Sequence, residues 1–113
     1  FQIVDDLLDV EGDSERTGKP VGIDLREGNP SLPIVLAIQR TAEVRRVFEA
    51  SSPSEVEVEQ ALDAIRASGV LDEVRAMALD YGHRARSAIA ALAPSSDREH
   101  LLEVVDQLLR RVS

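Results

Sequence analysis

An all-α fold follows from three observations. Ala, Leu, Glu and Arg recur at spacings of three and four residues, aromatic side chains make up only 3% of the 113 residues, and runs of alternating β-branched residues are rare. No sheet is expected. With 43% apolar and 30% charged residues the chain has an ordinary globular composition, sufficient for one modest core.

The elements follow in order. Phe1 to about Gly12 is acidic on one side and apolar on the other and reads as a helix that begins without a cap or an initiating Met, so the chain is expected to be cut mid-helix. Gly and Pro punctuate a loop from Asp13 to Asn29, with a short helical turn near Ile23 to Arg26. Ser31 is placed as the N-cap of a helix through Leu32, Pro33, Val35 and Leu36, with Pro33 in the tolerant first turn. That helix breaks near Thr41, and a short one runs from Ala42 to Ala50. Ser54 and Glu57 have capping-box spacing and open a helix to about Ala67. Gly69 separates it from a long helix ending near Ala93. Ser95 or Ser96 starts the last helix, which runs to about Val112.

Charge and composition exclude several functions. A net charge of −8 repels nucleic-acid phosphate and anionic lipid, so neither nucleic acid nor membrane insertion is expected. There is no cysteine, hence no disulfide framework and no thiolate metal site. No apolar run is long enough to cross a bilayer and no signal peptide opens the chain, so a cytoplasmic location is expected.

The first turns carry the chemistry. At 100° per residue, Gln2, Asp5, Asp6, Asp9 and Asp13 share an arc of roughly 100°, opposite Ile3, Val4, Leu7 and Leu8. Asp5 and Asp9 are four apart, Asp6 and Asp9 three, and no basic residue precedes Arg16. Each like-charge pair costs about 0.2–0.5 kcal/mol. A divalent, oxygen-seeking cation removes that repulsion, and magnesium, which keeps its waters and bridges carboxylates to phosphates, suits it best. A solvated acidic face beside the positive end of a helix dipole accounts for the same pattern, and the stripe alone leaves both readings open. An EF-hand is excluded, since Ser14 stands where the sharp-turn glycine is needed.

The string Phe1-Gln2-Ile3-Val4-Asp5-Asp6-Leu7-Leu8-Asp9, followed by Gly12-Asp13, Gly18-Lys19-Pro20, Gly22, Asp24-Leu25 and Glu27-Gly28, resembles the second aspartate-rich region of the trans-isoprenyl (polyprenyl) diphosphate synthases. The resemblance covers Phe1 to about Pro33, and the later helices are compatible with it. It implies the C-terminal portion of an isoprenoid-synthase-type helical bundle, with 1–12 as the second aspartate-rich helix, 13–30 as a diphosphate-contacting loop and 31–113 as the helical remainder. It also implies Asp5, Asp6 and Asp9 as ligands of Mg2+, Asp5 the most direct, and Lys19 reaching the allylic diphosphate. Gln2 and Phe1 would line the prenyl pocket. Asp5 and Lys19 would then be the catalytic residues.

The implied substrates are an allylic diphosphate and isopentenyl diphosphate, joined by magnesium-assisted ionisation in the full-length enzyme, with the fragment alone inactive. Three aspartates favour chain elongation over a class I terpene cyclase. Asn29 stands where many members have lysine, which favours the alternative of a noncatalytic helical subunit. Uncovered apolar faces predict a homodimer, with helices exchanged in the fragment. Arg26 is expected to pair with Glu27 or Asp24. Arg110 and Arg111 complement a helix dipole, His83 and His100 are partly exposed, Glu55, Glu57 and Glu59 form a solvated helix start, and Met77, Leu79 and Tyr81 serve packing.

Overall fold

The computed structural model describes residues 2–12 and 21–112, and among these there are helices and turns but no strand. Seven helices succeed one another: α1 Gln2–Glu11, α2 Ile23–Glu27, α3 Leu32–Ile38, α4 Ala42–Glu49, α5 Glu55–Ala67, α6 Val70–Ala90 and α7 Ser96–Val112. The core lies where α1, α3, α4, α5 and the first half of α6 meet. Val4, Leu7 and Val10 of α1, at spacings of three, share one buried cluster with Ile34, Val44, Leu62, Ile65 and Val74. Each such side chain contributes about 1.5–3 kcal/mol on burial. α6 runs on past this core against α7, its most extensive partner, and the molecule extends to 53 × 29 × 21 Å.

Local chemistry fixes the boundaries. The Ser54 hydroxyl accepts from the Glu57 N–H at 3.2 Å, and the Glu57 carboxylate accepts from the Ser54 N–H at 3.4 Å, a complete capping box at the start of α5. Ser54→Ala is expected to cost about 1 kcal/mol, seen as a lower urea midpoint at unchanged slope.

Several expectations need correction. α6 ends at Ala90 rather than near Ala93, because Ala93 precedes Pro94 and is disfavoured from the helical region. The Ser95 hydroxyl then accepts from the Arg98 N–H at 3.0 Å and starts α7. Ser31 occupies the N-cap position of α3, and its carbonyl accepts from Val35, but its side chain caps nothing. Pro33 is one reason, since it lacks one of the two N–H groups such a hydroxyl could reach. Arg26 bonds the Val21 carbonyl at 2.7 Å and pairs with Glu55 at 2.8 Å, not with its neighbours Glu27 or Asp24. Met77 and Tyr81 are 38% and 59% exposed, on a flank of α6 beside the buried Val74 and Ala78, while Leu79 does pack. His83 and His100 are exposed.

Candidate functional site

The burial of Val4, Leu7 and Val10 turns the acidic stripe of α1 outward. Along that stripe the Gln2 side-chain amide donates to Asp6 Oδ1 at 2.7 Å and fixes its carboxylate. One turn further on, Asp9 points at the next element of the fold. Its Oδ1 accepts from the Ile23 N–H at 3.1 Å, its Oδ2 from the Asp24 N–H at 3.0 Å, and its backbone carbonyl from the Gly22 N–H at 2.9 Å. Gly22, at φ 78°, precedes α2 and has no side chain with which to cap it. Asp9 supplies that cap from α1.

This arrangement brings Asp24 against the acidic face. Burial, followed by the charges of Asp9 and Asp6, holds its carboxyl above the usual aspartate range, and a hydrogen bond from the Asn29 side chain at 3.4 Å acts the other way. An open cavity of about 330 Å³ is lined by Gln2, Asp6, Asp24, Asn29, Pro30 and Ser31. Ser31 is 8% exposed, and its buried hydroxyl has no hydrogen-bond partner among the described residues.

A raised carboxyl pKa means that the folded state holds the proton more tightly than the unfolded chain. Stability therefore falls as pH rises from the ordinary aspartate value of 3.8 through the raised one. Asp24→Asn is expected to stabilise the chain at pH 7 by up to about 0.5 kcal/mol, the scale of a relieved like-charge pair, and to flatten that acid-range decline. Urea melts at a series of pH values provide the measurement.

Residues 1–65 match the family model described as polyprenyl synthetase. The chain belongs to this family. It is 35% identical over 112 residues to a prenyl transferase of Synechocystis sp., covering 99% of this chain and 35% of that protein. It is 37% identical over 114 residues to a short chain isoprenyl diphosphate synthase of Methanothermobacter thermautotrophicus, covering 98% and 35%. Its fold matches the crystal structure of a polyprenyl synthase from Caulobacter crescentus CB15, complexed with calcium and isoprenyl diphosphate, with a TM-score of 0.82 and 34% identity over 99% of this chain and 36% of that one. The chain thus spans about a third of the length of the polyprenyl synthetase relatives it matches.

Within this all-α polyprenyl synthetase fold, the expected site residues take different places. Gln2 and Asp6 line the cavity, Asp5 is exposed and is not among the lining residues, and Asp9 faces α2. Phe1, Asp13, Gly18 and Lys19 lie outside the described residues. In the sequence Asp24 belongs to the motif and to the 13–30 segment without a role of its own, and Ser31 is an N-cap; the distant contact of Asp9 with α2 brings Asp24 to the site. Among the described residues no three acidic or histidine side chains already converge as a metal cage.

A hydrated oxygen-seeking cation nevertheless fits the donors present. Asp6 and Asp24 face one cavity with no Lys or Arg paired to either among the described residues, and an unpartnered hydroxyl lies beside them.

Proposed function

We propose that this chain supplies the second aspartate-rich wall of a polyprenyl diphosphate synthase, which joins an allylic diphosphate to isopentenyl diphosphate with Mg2+. The observation that carries the reading is the acidic cavity, where Asp6 and Asp24 stand without a neutralising cation among the described residues, next to the buried hydroxyl of Ser31. In this reading residues 1–12 carry the aspartate-rich helix, 13–30 the segment that meets diphosphate, and 31–113 the helical support. Calcium accompanies isoprenyl diphosphate in the Caulobacter structure. Magnesium is assigned here because it retains waters and commonly bridges carboxylates to phosphates.

The reaction breaks the allylic carbon–oxygen bond with release of diphosphate, makes a carbon–carbon bond from the isopentenyl double bond, and loses a proton from the resulting cation to restore an alkene. Asp5 and Asp6, on an acidic wall that Asp9 continues, would hold magnesium, which would supply Lewis acidity to the departing diphosphate. Lys19 of the Gly18-Lys19-Pro20 motif adds positive charge to that diphosphate. Gln2 holds the Asp6 carboxylate in place through its 2.7 Å bond and, with Phe1, borders the prenyl chain. No protein nucleophile is needed.

The test is made on a full-length synthase that carries this chain. With Mg2+ it is expected to lengthen an allylic diphosphate by isopentenyl units, while the 113-residue chain alone turns over nothing; absence of product from the full-length protein overturns the reading. A cytoplasmic homodimer is part of the proposal. The exposure of Val56, Tyr81 and Leu92, at 65%, 59% and 54%, supports association, and light scattering at high concentration checks it.

Asn29 favours a second reading, that of a noncatalytic helical subunit. Its side chain donates to Asp24 and Glu27 at 3.4 and 3.3 Å and brings no positive charge. Turnover that appears only on mixing with a second synthase polypeptide would select it.

A further inference from the structure

We propose that Asp9 is a positioning residue, whose carboxylate fixes the start of α2 and thereby sets Asp24 opposite Asp6, rather than a ligand of the cation. The inference rests on the reading of the acidic cavity as a cation site. Three successive backbone N–H groups, those of Gly22, Ile23 and Asp24, end on the carbonyl and the two carboxylate oxygens of this one residue. The five residues of α2 cannot persist as an isolated helix, and the glycine before them offers no cap. Asp9 therefore supplies from 14 and 15 residues away what α2 lacks locally.

The direction of the carboxylate separates its role from that of Asp6. Asp6 and Asp24 line the cavity, whereas Asp9 does not, and both of its oxygens already receive hydrogen bonds. Its negative charge also favours the positive end of α2. Asparagine retains one acceptor but turns an NH2 donor toward the other N–H, so Asp9→Asn breaks half of the clamp and leaves the backbone bond to Gly22.

The test uses the 113-residue chain, amide hydrogen exchange and Mn2+ as a paramagnetic stand-in for magnesium. In Asp9→Asn, exchange at Ile23 and Asp24 is expected to quicken about tenfold or more while core amides such as Leu62 stay protected. Mn2+ still broadens the Gln2 and Asp6 signals, but broadening at Asp24 diminishes as α2 loses its place. Asp6→Asn is expected to do the reverse, weakening Mn2+ binding and leaving Ile23 and Asp24 protected.

Unchanged protection in Asp9→Asn overturns the proposal. So does a loss of Mn2+ binding at least as large as in Asp6→Asn while Ile23 and Asp24 remain protected. If Asp9→Asn loses its core protection, the unsubstituted chain decides. Scalar couplings across the bonds from the Ile23 and Asp24 nitrogens to the Asp9 carboxyl carbon should persist at saturating Mg2+, and their disappearance refutes the clamp. Failure of the unsubstituted chain to bind Mn2+ overturns both the cation reading and the contrast with Asp6, whereas a clamp lost with Mn2+ binding intact overturns the positioning role alone.

Discussion

Asp5→Ala in a full-length synthase carrying this chain is expected to lower turnover by about three orders of magnitude, somewhat beyond the loss of a single hydrogen-bond donor to a developing anion. The same substitution should leave unfolding free energy within about 0.5 kcal/mol, because an exposed side chain that makes no core contact contributes little to stability. Asp5 sits on the outward face of α1, opposite the buried Val4, Leu7 and Val10, so alanine removes a charge without opening a cavity. Parallel measurements of product formation and urea midpoint separate the two effects. Near-normal turnover removes Asp5 from the mechanism; a large fall in midpoint would instead reveal a structural role.

Asp5 is also where the sequence was most informative. Its position on an acidic stripe follows from 3.6-residue periodicity, because a period needs only neighbours in sequence. The helices of the described residues are legible for the same reason. The Ser54 and Glu57 capping box, the break near Thr41 and the division at Gly69 all depend on residues three or four apart. Where local rules left two outcomes, the structure chose between them. Ser31 has a preferred N-cap side chain, yet tertiary packing buries it and Pro33 lacks an N–H. Tyr81 and Met77 have the apolar character of packing residues, but the structure leaves both exposed beside the buried Ala78.

The contacts that organise the candidate site were less visible. Arg26 reaches Glu55 across 29 residues, and Arg66 caps the last turn of α1 by donating to the Val10 carbonyl across 56. No periodicity encodes such pairings. The contact of Asp9 with Ile23 and Asp24 is of the same kind. The aspartate stripe was evident, but only the return of the chain at Gly22 shows that one carboxylate turns aside to hold α2 while another acid, Asp24, comes forward to join Asp6. The cavity consequently draws its acids from two helices, and its geometry depends on how firmly the second is anchored.

Gly22→Ala tests that anchorage from the core side. Gly22 has φ 78°, where an alanine pays a steric penalty, and a Cβ built there would lie 2.9 Å from Leu62 Cδ1 and 3.3 Å from Cδ2. Leu62 is fully buried in α5 and cannot swing into solvent. Backbone strain and overpacking together predict a loss of roughly 2–4 kcal/mol, a large share of a small domain's stability. A double-mutant cycle divides that loss. Leu62→Ala alone should cost about 2–5 kcal/mol by leaving a cavity, and within that background Gly22→Ala should cost about 1–2 kcal/mol, the backbone part only. Equal costs in both backgrounds would show that Leu62 is not the obstacle. Because the Gly22 N–H is held by the Asp9 carbonyl and the next two N–H groups by its carboxylate, a shift that makes room for the methyl group also moves Asp24 away from Asp6. Gly22→Ala should therefore weaken Mn2+ binding at the acidic cavity even at temperatures where the chain remains folded, and Leu62→Ala should restore part of it.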